Sequence, residues 1–246
     1  HVLLEISAIE SQLRERMPDW PQRMREWESR VVSQQLKWRA IKPDTWPYEG
    51  QKFRLLEDGS LVSESYAPTR VTDTFTARTT VDKITAVRLD ALMHPQLPRG
   101  GPGRSIYGTG AITEFEFSIA PADKPNQKRS VKFARAMADA NPERSELPSI
   151  FRDKDAAKDK RVTGPIAYAI DGLDQTAWST DVGPGQRNRN RMAVFVPAEP
   201  ITVTGEVELS FTLKQSHGGW NSDDNQNYLL GRFRFSITDG EVQSDH

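Results

Sequence analysis

From Trp38 onward the apolar residues of this chain recur at every second position, and that period admits few folds. In Ala111-Ile-Thr-Glu-Phe-Glu-Phe-Ser-Ile119, Phe115, Phe117 and Ile119 fall on one side of an extended chain, and Glu114 and Glu116 on the other. Between Val203 and Leu213, Val207, Leu209, Phe211 and Leu213 share a face in the same way. Gln51-Lys-Phe-Arg-Leu-Leu56, the turn Glu57-Asp-Gly-Ser60 and Leu61-Val-Ser63 read as a hairpin. Val71–Thr80, Asp82–Asp90, Met192–Val196 and Gly231–Thr238 read as further strands. Roughly ten short strands separated by turn signals predict an all-β sandwich of jelly-roll type over residues 37–246.

The first residues keep a different period. Trp20, Met24, Trp27 and Val31 lie at i, i+4, i+7 and i+11, one face of a helix with Asp19 as N-cap and Pro21 in its first turn. Pro18 separates it from an earlier helix carrying Leu3, Ile6, Ile9 and Leu13. Residues 1–36 are therefore expected to form a helical extension whose apolar stripes pack on the sandwich or on a neighbouring domain. A chain that opens in helical sequence reads as a piece of a longer protein, with flanking domains as partners.

Composition removes several chemistries. Thirty-three basic against thirty-four acidic residues give a net charge of −1, so no field draws the chain to nucleic acid or an anionic membrane. The mixed run Arg152–Arg161 is expected to be a solvated loop or a short exposed helix. With no cysteine, there is no disulfide, thiolate nucleophile, zinc–thiolate site or covalently attached haem in this segment. No run of eighteen apolar residues predicts a membrane span, and the first residues do not form a signal peptide.

The polar residues concentrate in a few loops. His217-Gly-Gly-Trp-Asn-Ser-Asp-Asp-Asn-Gln-Asn227 offers Trp220 to stack on a sugar ring, with His217, Asn221, Asp223 and Asn225 to bond its hydroxyls. Alternate Asn221, Asp223 and Asn225 imitate half of an EF-hand, but the glycine and glutamate that such a loop requires are missing. The same loop also reads as a self-bonded cover over the sandwich end. His94–Gly110 is a long glycine- and proline-rich loop, functional or disordered, that carries Tyr107. Arg187-Asn-Arg-Asn-Arg191 suits either an acidic polysaccharide or plain solvation.

Asp171-Gly-Leu-Asp174-Gln-Thr176 gathers carboxylates, a hydroxyl and turn carbonyls, the hard oxygens that Ca2+ takes. The alternative is an Asx turn capped by Asp171, with Trp178 filling the core. Catalytic motifs are lacking. His94 and His217, the internal histidines, stand in no nucleophile or metalloprotease pattern. A glycosidase carboxylate pair and a copper brace built from His1 are the enzyme alternatives.

Ala169-Ile-Asp-Gly-Leu-Asp-Gln-Thr-Ala-Trp178 resembles the Ala-x-Asp-Gly-x-x-x-Thr-x-Trp phrase that opens discoidin-like, galactose-binding-fold domains. Thr113-Glu-Phe-Glu-Phe117 resembles the strand that closes them, although here it comes first. Leu56-Glu-Asp-Gly-Ser-Leu61, Ile84–Leu92, Gly100-Gly-Pro-Gly-Arg104, Gly183-Pro-Gly185 and Gly231-Arg-Phe-Arg234 extend the likeness along the chain. The ordered series resembles the central carbohydrate-binding-like module of large planctomycete-type secreted proteins that also carry cytochrome c domains. Where that family has an asparagine-rich turn after Arg104, this chain has Ile106-Tyr-Gly-Thr-Gly110.

The resemblance implies a galactose-binding-like jelly roll in a secreted or periplasmic protein. It also implies a strand glutamate, Glu114 or Glu116, as a further ligand to structural calcium with Asp171, Asp174 and Thr176. The function expected is non-catalytic binding of a polysaccharide through Trp220, His217, Asn221, Asp223, Asn225 and Tyr107. The alternative is a scaffold domain that packs against cytochrome and flanking domains and binds no glycan.

Overall fold

The computed structural model describes residues 2–47, 50–152, 159–219 and 227–242, with the backbone alone for 30–34. The chain divides into two units, His1–Lys37 and Trp38–His246. In the first, α1 (Val2–Arg16) and α2 (Trp20–Gln34) flank a break at Pro18, whose nitrogen carries no hydrogen for a helix ladder. Asp19 starts α2 through its carbonyl, which accepts from Gln22 N and Arg23 N at 3.0 Å, while its carboxylate takes Arg23 Nε at 2.7 Å. Leu3 is 81% exposed and Trp27 52%, and α1 buries none of its residues.

The second unit is a β-sandwich-like, all-β structure. Its first strands are β1 (Arg39–Ile41), β2 (Lys52–Leu55), β3 (Leu61–Glu64), β4 (Val71–Thr80), β5 (Lys83–Ile84) and β6 (Ala86–Ala91). Next come β7 (Ala111–Ile112), β8 (Glu114–Pro121), β9 (Arg129–Val131), β10 (Phe133–Ala138), β11 (Ser145–Glu146) and β12 (Val162–Gly164). The last are β13 (Thr176–Ser179), β14 (Arg191–Pro197), β15 (Ile201–Thr202), β16 (Glu206–Gln215) and β17 (Arg232–Thr238). A seven-stranded sheet runs β10-β14-β6-β17-β3-β2, with β1 also on β17, and a four-stranded sheet runs β4-β16-β8-β9. A smaller sheet, β11-β12-β13-β7, holds the parallel pair β12–β13; the named strands otherwise pair antiparallel.

The alternation explains the core. Phe211 of β16 stacks on Phe235 of β17 at 4.4 Å, and Phe75 of β4 meets Phe233 edge-on at 5.2 Å, so the two larger sheets close face to face through their apolar sides. The outer face of the larger sheet is held by charge. Asp58 takes Arg232 Nη2 at 2.7 Å, and the buried Asp90 takes Arg234 Nη2 at 3.0 Å and Arg88 Nη2 at 2.6 Å. The Leu56–Leu61, Ile84–Leu92 and Gly231–Arg234 phrases thus meet as one ion-pair ladder. Two predicted strands are each interrupted by a threonine, Thr85 between β5 and β6 and Thr113 between β7 and β8.

Candidate functional site

At Thr113 the chain passes from the β11-β12-β13-β7 sheet, where Ile112 faces Trp178, to the β4-β16-β8-β9 sheet, where Glu114 faces Lys214. Thr113 Oγ1 accepts Ser216 N at 2.9 Å and lies 3.0 Å from His217 Nδ1. His217 Nε2 faces two carbonyls, Val162 O at 3.1 Å and Gln175 O at 3.3 Å. Carbonyls only accept, so Nε2 carries the ring proton and Nδ1 receives the threonine hydroxyl hydrogen. Burial, and then the Arg161 charge, push the imidazole down to about 4. His217 is thus not the ligand contact expected from the sequence. It is fully buried and both nitrogens are spent inside the fold.

Arg161 fixes the same corner. Its Nη1 donates to Ser216 O and Gly218 O at 2.7 Å each, and Asp159 holds it through Nε at 2.9 Å and Nη2 at 2.6 Å. At the end of the Arg152–Arg161 run the Asp159 and Arg161 side chains are therefore interior, only 4% and 9% exposed, while Lys160 between them is solvated. Residues 153–158 lie outside the described residues. On the far side of the loop, Tyr228 stacks on Phe151 at 4.2 Å and its hydroxyl lies 2.7 Å from Ser179 Oγ. Tyr107 meets the same Phe151 edge-on at 6.2 Å. Tyr228, on the C-terminal side of the loop, thus joins Ala111, Leu147, Phe151 and Ala177 in a satellite cluster on which Tyr107 also packs, while on the N-terminal side Arg161 bonds Ser216 O, Gly218 O and Phe151 O. Trp220, Asn221, Asp223 and Asn225 lie outside the described residues.

Beside Tyr107 a cleft of about 320 Å3 opens, lined by Arg99, Tyr107, Pro184, Gly185, Arg187 and Asn188. Asp181 shapes one part of it, accepting Gly183 N at 2.9 Å and Arg187 Nε at 2.8 Å. Arg187 Cζ then sits 4.7 Å from the Tyr107 ring centre. The long glycine loop is ordered because its backbone packs closely: a Cβ on Gly103 would come within 2.1 Å of Thr109 O, and Gly103 N donates to Gly108 O at 3.0 Å. The basic run from Arg187 to Arg191 is only partly solvated. Arg191 is buried, bonded to Gln186 O and paired with Asp139 at 3.8 Å.

The acidic turn lies at the start of β13, with Ser179 at the strand's other end. Asp171 Oδ1 accepts Leu173 N at 2.9 Å, and the Thr176 hydroxyl bonds the same carboxylate. Glu114 Oε1 accepts Gly172 N at 2.7 Å. Burial, with the neighbouring Asp171 charge, lifts Glu114 to about 7. Asp174 turns away to pair with Lys214, and Glu116 stands exposed on the next outward position of β8. Glu114, Asp171 and Thr176 are therefore brought together, and Asp174 is not. The Asx turn of the alternative reading is present, and Trp178 is buried with Nε1 donating to Ala140 O at 2.8 Å.

The described residues contain no group of three or more His, Cys, Asp or Glu arranged to hold a metal. No family model, curated protein or solved structure matches the chain. The site must be read from its own geometry. Sequence reasoning missed Arg161, read only as part of a charged run, and Arg99, which has no pattern around it beyond glycines.

Proposed function

We propose that the chain is a non-catalytic carbohydrate-binding module, a galactose-binding-like jelly roll belonging to a larger secreted or periplasmic protein. One observation carries the reading: Tyr107 and Tyr228, which follows the loop bearing Trp220, pack on the same Phe151 ring. Aromatic side chains already held by packing suit stacking on a pyranose, because they lose little freedom when the sugar arrives. His217 does not enter the chemistry; it sets the loop's entry angle from below.

Calcium belongs to this reading as a structural ion. Glu114, Asp171 and the Thr176 hydroxyl would hold it, and its charge would offset the repulsion between the two carboxylates. Asp174 would join only by leaving Lys214. The test is a glycan array followed by calorimetry of the whole chain and of Trp220→Ala. The reading expects a polysaccharide ligand whose affinity falls at least tenfold in the variant, the worth of one lost stacking contact.

The second reading, a scaffold docked on flanking domains, is favoured by the exposed apolar residues Leu3, Leu4, Ile9 and Trp27 on α1 and α2. It expects no glycan binding and no loss of stability in Trp220→Ala.

A further inference from the structure

The cleft beside Tyr107 presents two guanidinium groups, of which Arg187 is ion-paired with Asp181 and Arg99 is bonded to a carbonyl. Arg99 gives its Nε to Ile106 O at 2.8 Å, and Arg187 gives its Nε to Asp181. Among the described residues, the Nη groups of both guanidinium ions have no protein acceptor. Five N–H donors in a planar fork suit two-oxygen acceptors, so each side chain still presents donors of that geometry. Asp181, paired with Arg187, borders the cleft, while Arg99 has no carboxylate partner among the described residues.

Both arginines are also held in place without a ligand. Asp181 anchors Arg187 while the Tyr107 ring supports its guanidinium at 4.7 Å. Arg99 keeps a left-handed backbone, φ 53°, beside Gly100, with its Nε tethered to Ile106 O. Donors fixed before binding lose little freedom when an acceptor arrives. Asn188 marks the floor, its Oδ1 wedged where a Cβ on Gly101 or Gly108 would stand.

We propose that this cleft is a subsite for the carboxylate or sulfate of an acidic glycan. The inference rests on the glycan-binding reading and adds its substrate class. The acceptor must be an anion with two or three oxygens, because neutral hydroxyls would leave most of the guanidinium donors unmatched. A nucleic-acid phosphate is disfavoured by a net charge of −1, which offers no extended basic track.

The test is calorimetry of the full chain with matched pairs at low salt: a galacturonate oligomer against its methyl ester, and a sulfated dextran oligomer against unsulfated dextran. Sodium sulfate alone and a single-stranded oligonucleotide complete the set. The charged member of at least one pair is expected to bind about tenfold or more tightly than its neutral parent, and which pair responds separates carboxylate from sulfate. Arg99→Gln should remove most of that difference, while Arg129→Gln on the exposed edge strand β9 should leave it intact. Arg187→Lys, which keeps the charge but loses the fork, should also weaken binding if the fold melts normally.

Equal binding of charged and neutral oligomers overturns the subsite, even where the neutral sugars bind and the module reading survives. Sulfate binding lost in Arg99→Gln, with no sugar of any charge bound, keeps an anion site but removes the glycan. An oligonucleotide bound as tightly as the acidic sugars, or equal damage from Arg129→Gln, overturns the proposal.

Discussion

Thr113 Oγ1 and His217 Nδ1 meet 3.0 Å apart in the interior, where two sheets of the sandwich part company. The threonine is the residue at which one alternating strand breaks in two. The histidine is the residue that launches the polar loop. Their bond ties the sheet switch to the entrance of the candidate binding rim.

His217 is held neutral, its pKa lowered from the ordinary value of 6.5 to about 4 by burial. The unfolded chain therefore takes up a proton first as pH falls. The stability contributed by the neutral ring is complete above about 6.5 and is lost as pH drops towards about 4. Melting scans should show this loss in the wild type and a flatter slope in His217→Gln. Parallel slopes would mean that the ring does not report on folding.

Arg161→Met should be far more costly than the loss of a surface charge. The Asp159 and Arg161 side chains are 4% and 9% exposed, and the substitution takes the guanidinium from the buried carboxylate and from Ser216 O and Gly218 O together. A loss of about 3–5 kcal/mol is expected in urea denaturation. A loss below about 1 kcal/mol, the worth of an exposed pair, would show that the corner is wet.

How much of this was legible beforehand follows from period and range. β4 is the predicted Val71–Thr80, and the hairpin pairs Leu55 with Leu61 as its turn demands, because both signals are local. β9 to β13 were not anticipated. Val162–Gly164 is too short to alternate, and β10 reads Phe-Ala-Arg-Ala-Met-Ala with no fully buried position. The Asp171 turn and the core Trp178 were readable from spacing. The burial of His217 was not, since its partners come from β12 and from residues about a hundred positions away.

Glu114 offers a titration of the opposite sense. Burial and Asp171 raise it from 4.5 to about 7, so the folded state holds a proton that the unfolded chain has already released. Its favourable contribution is complete below about 4.5 and fades as pH rises through about 7. Glu114→Gln should remove that fall. In the wild type, millimolar calcium should raise the melting temperature at pH 8 more than at pH 5, and a chelator should reverse it. A calcium response unchanged in Glu114→Gln would place the ion elsewhere or remove it from the account.

Asp73 occupies an inward position of β4, between the core and Val71, where Phe75 and Ala77 continue the apolar face. It is 2% exposed, and its Oδ2 has no hydrogen-bond partner. Gln51, just before β2, is buried with neither amide atom bonded. The Phe53–Phe75 contact at 5.2 Å, two positions further along each strand, puts both polar residues at the same end of the sandwich. Burial raises Asp73 from 3.8 to about 6, so stability is complete below about 3.8 and declines as pH climbs through about 6. Asp73→Asn keeps the shape and abolishes the charge. The variant should therefore match the wild type near pH 3.5 and melt higher at pH 8, where the wild type carries a buried carboxylate without a cation. A variant that melts lower at pH 8 would show instead that the ionised carboxylate is stabilised at this end of the sandwich.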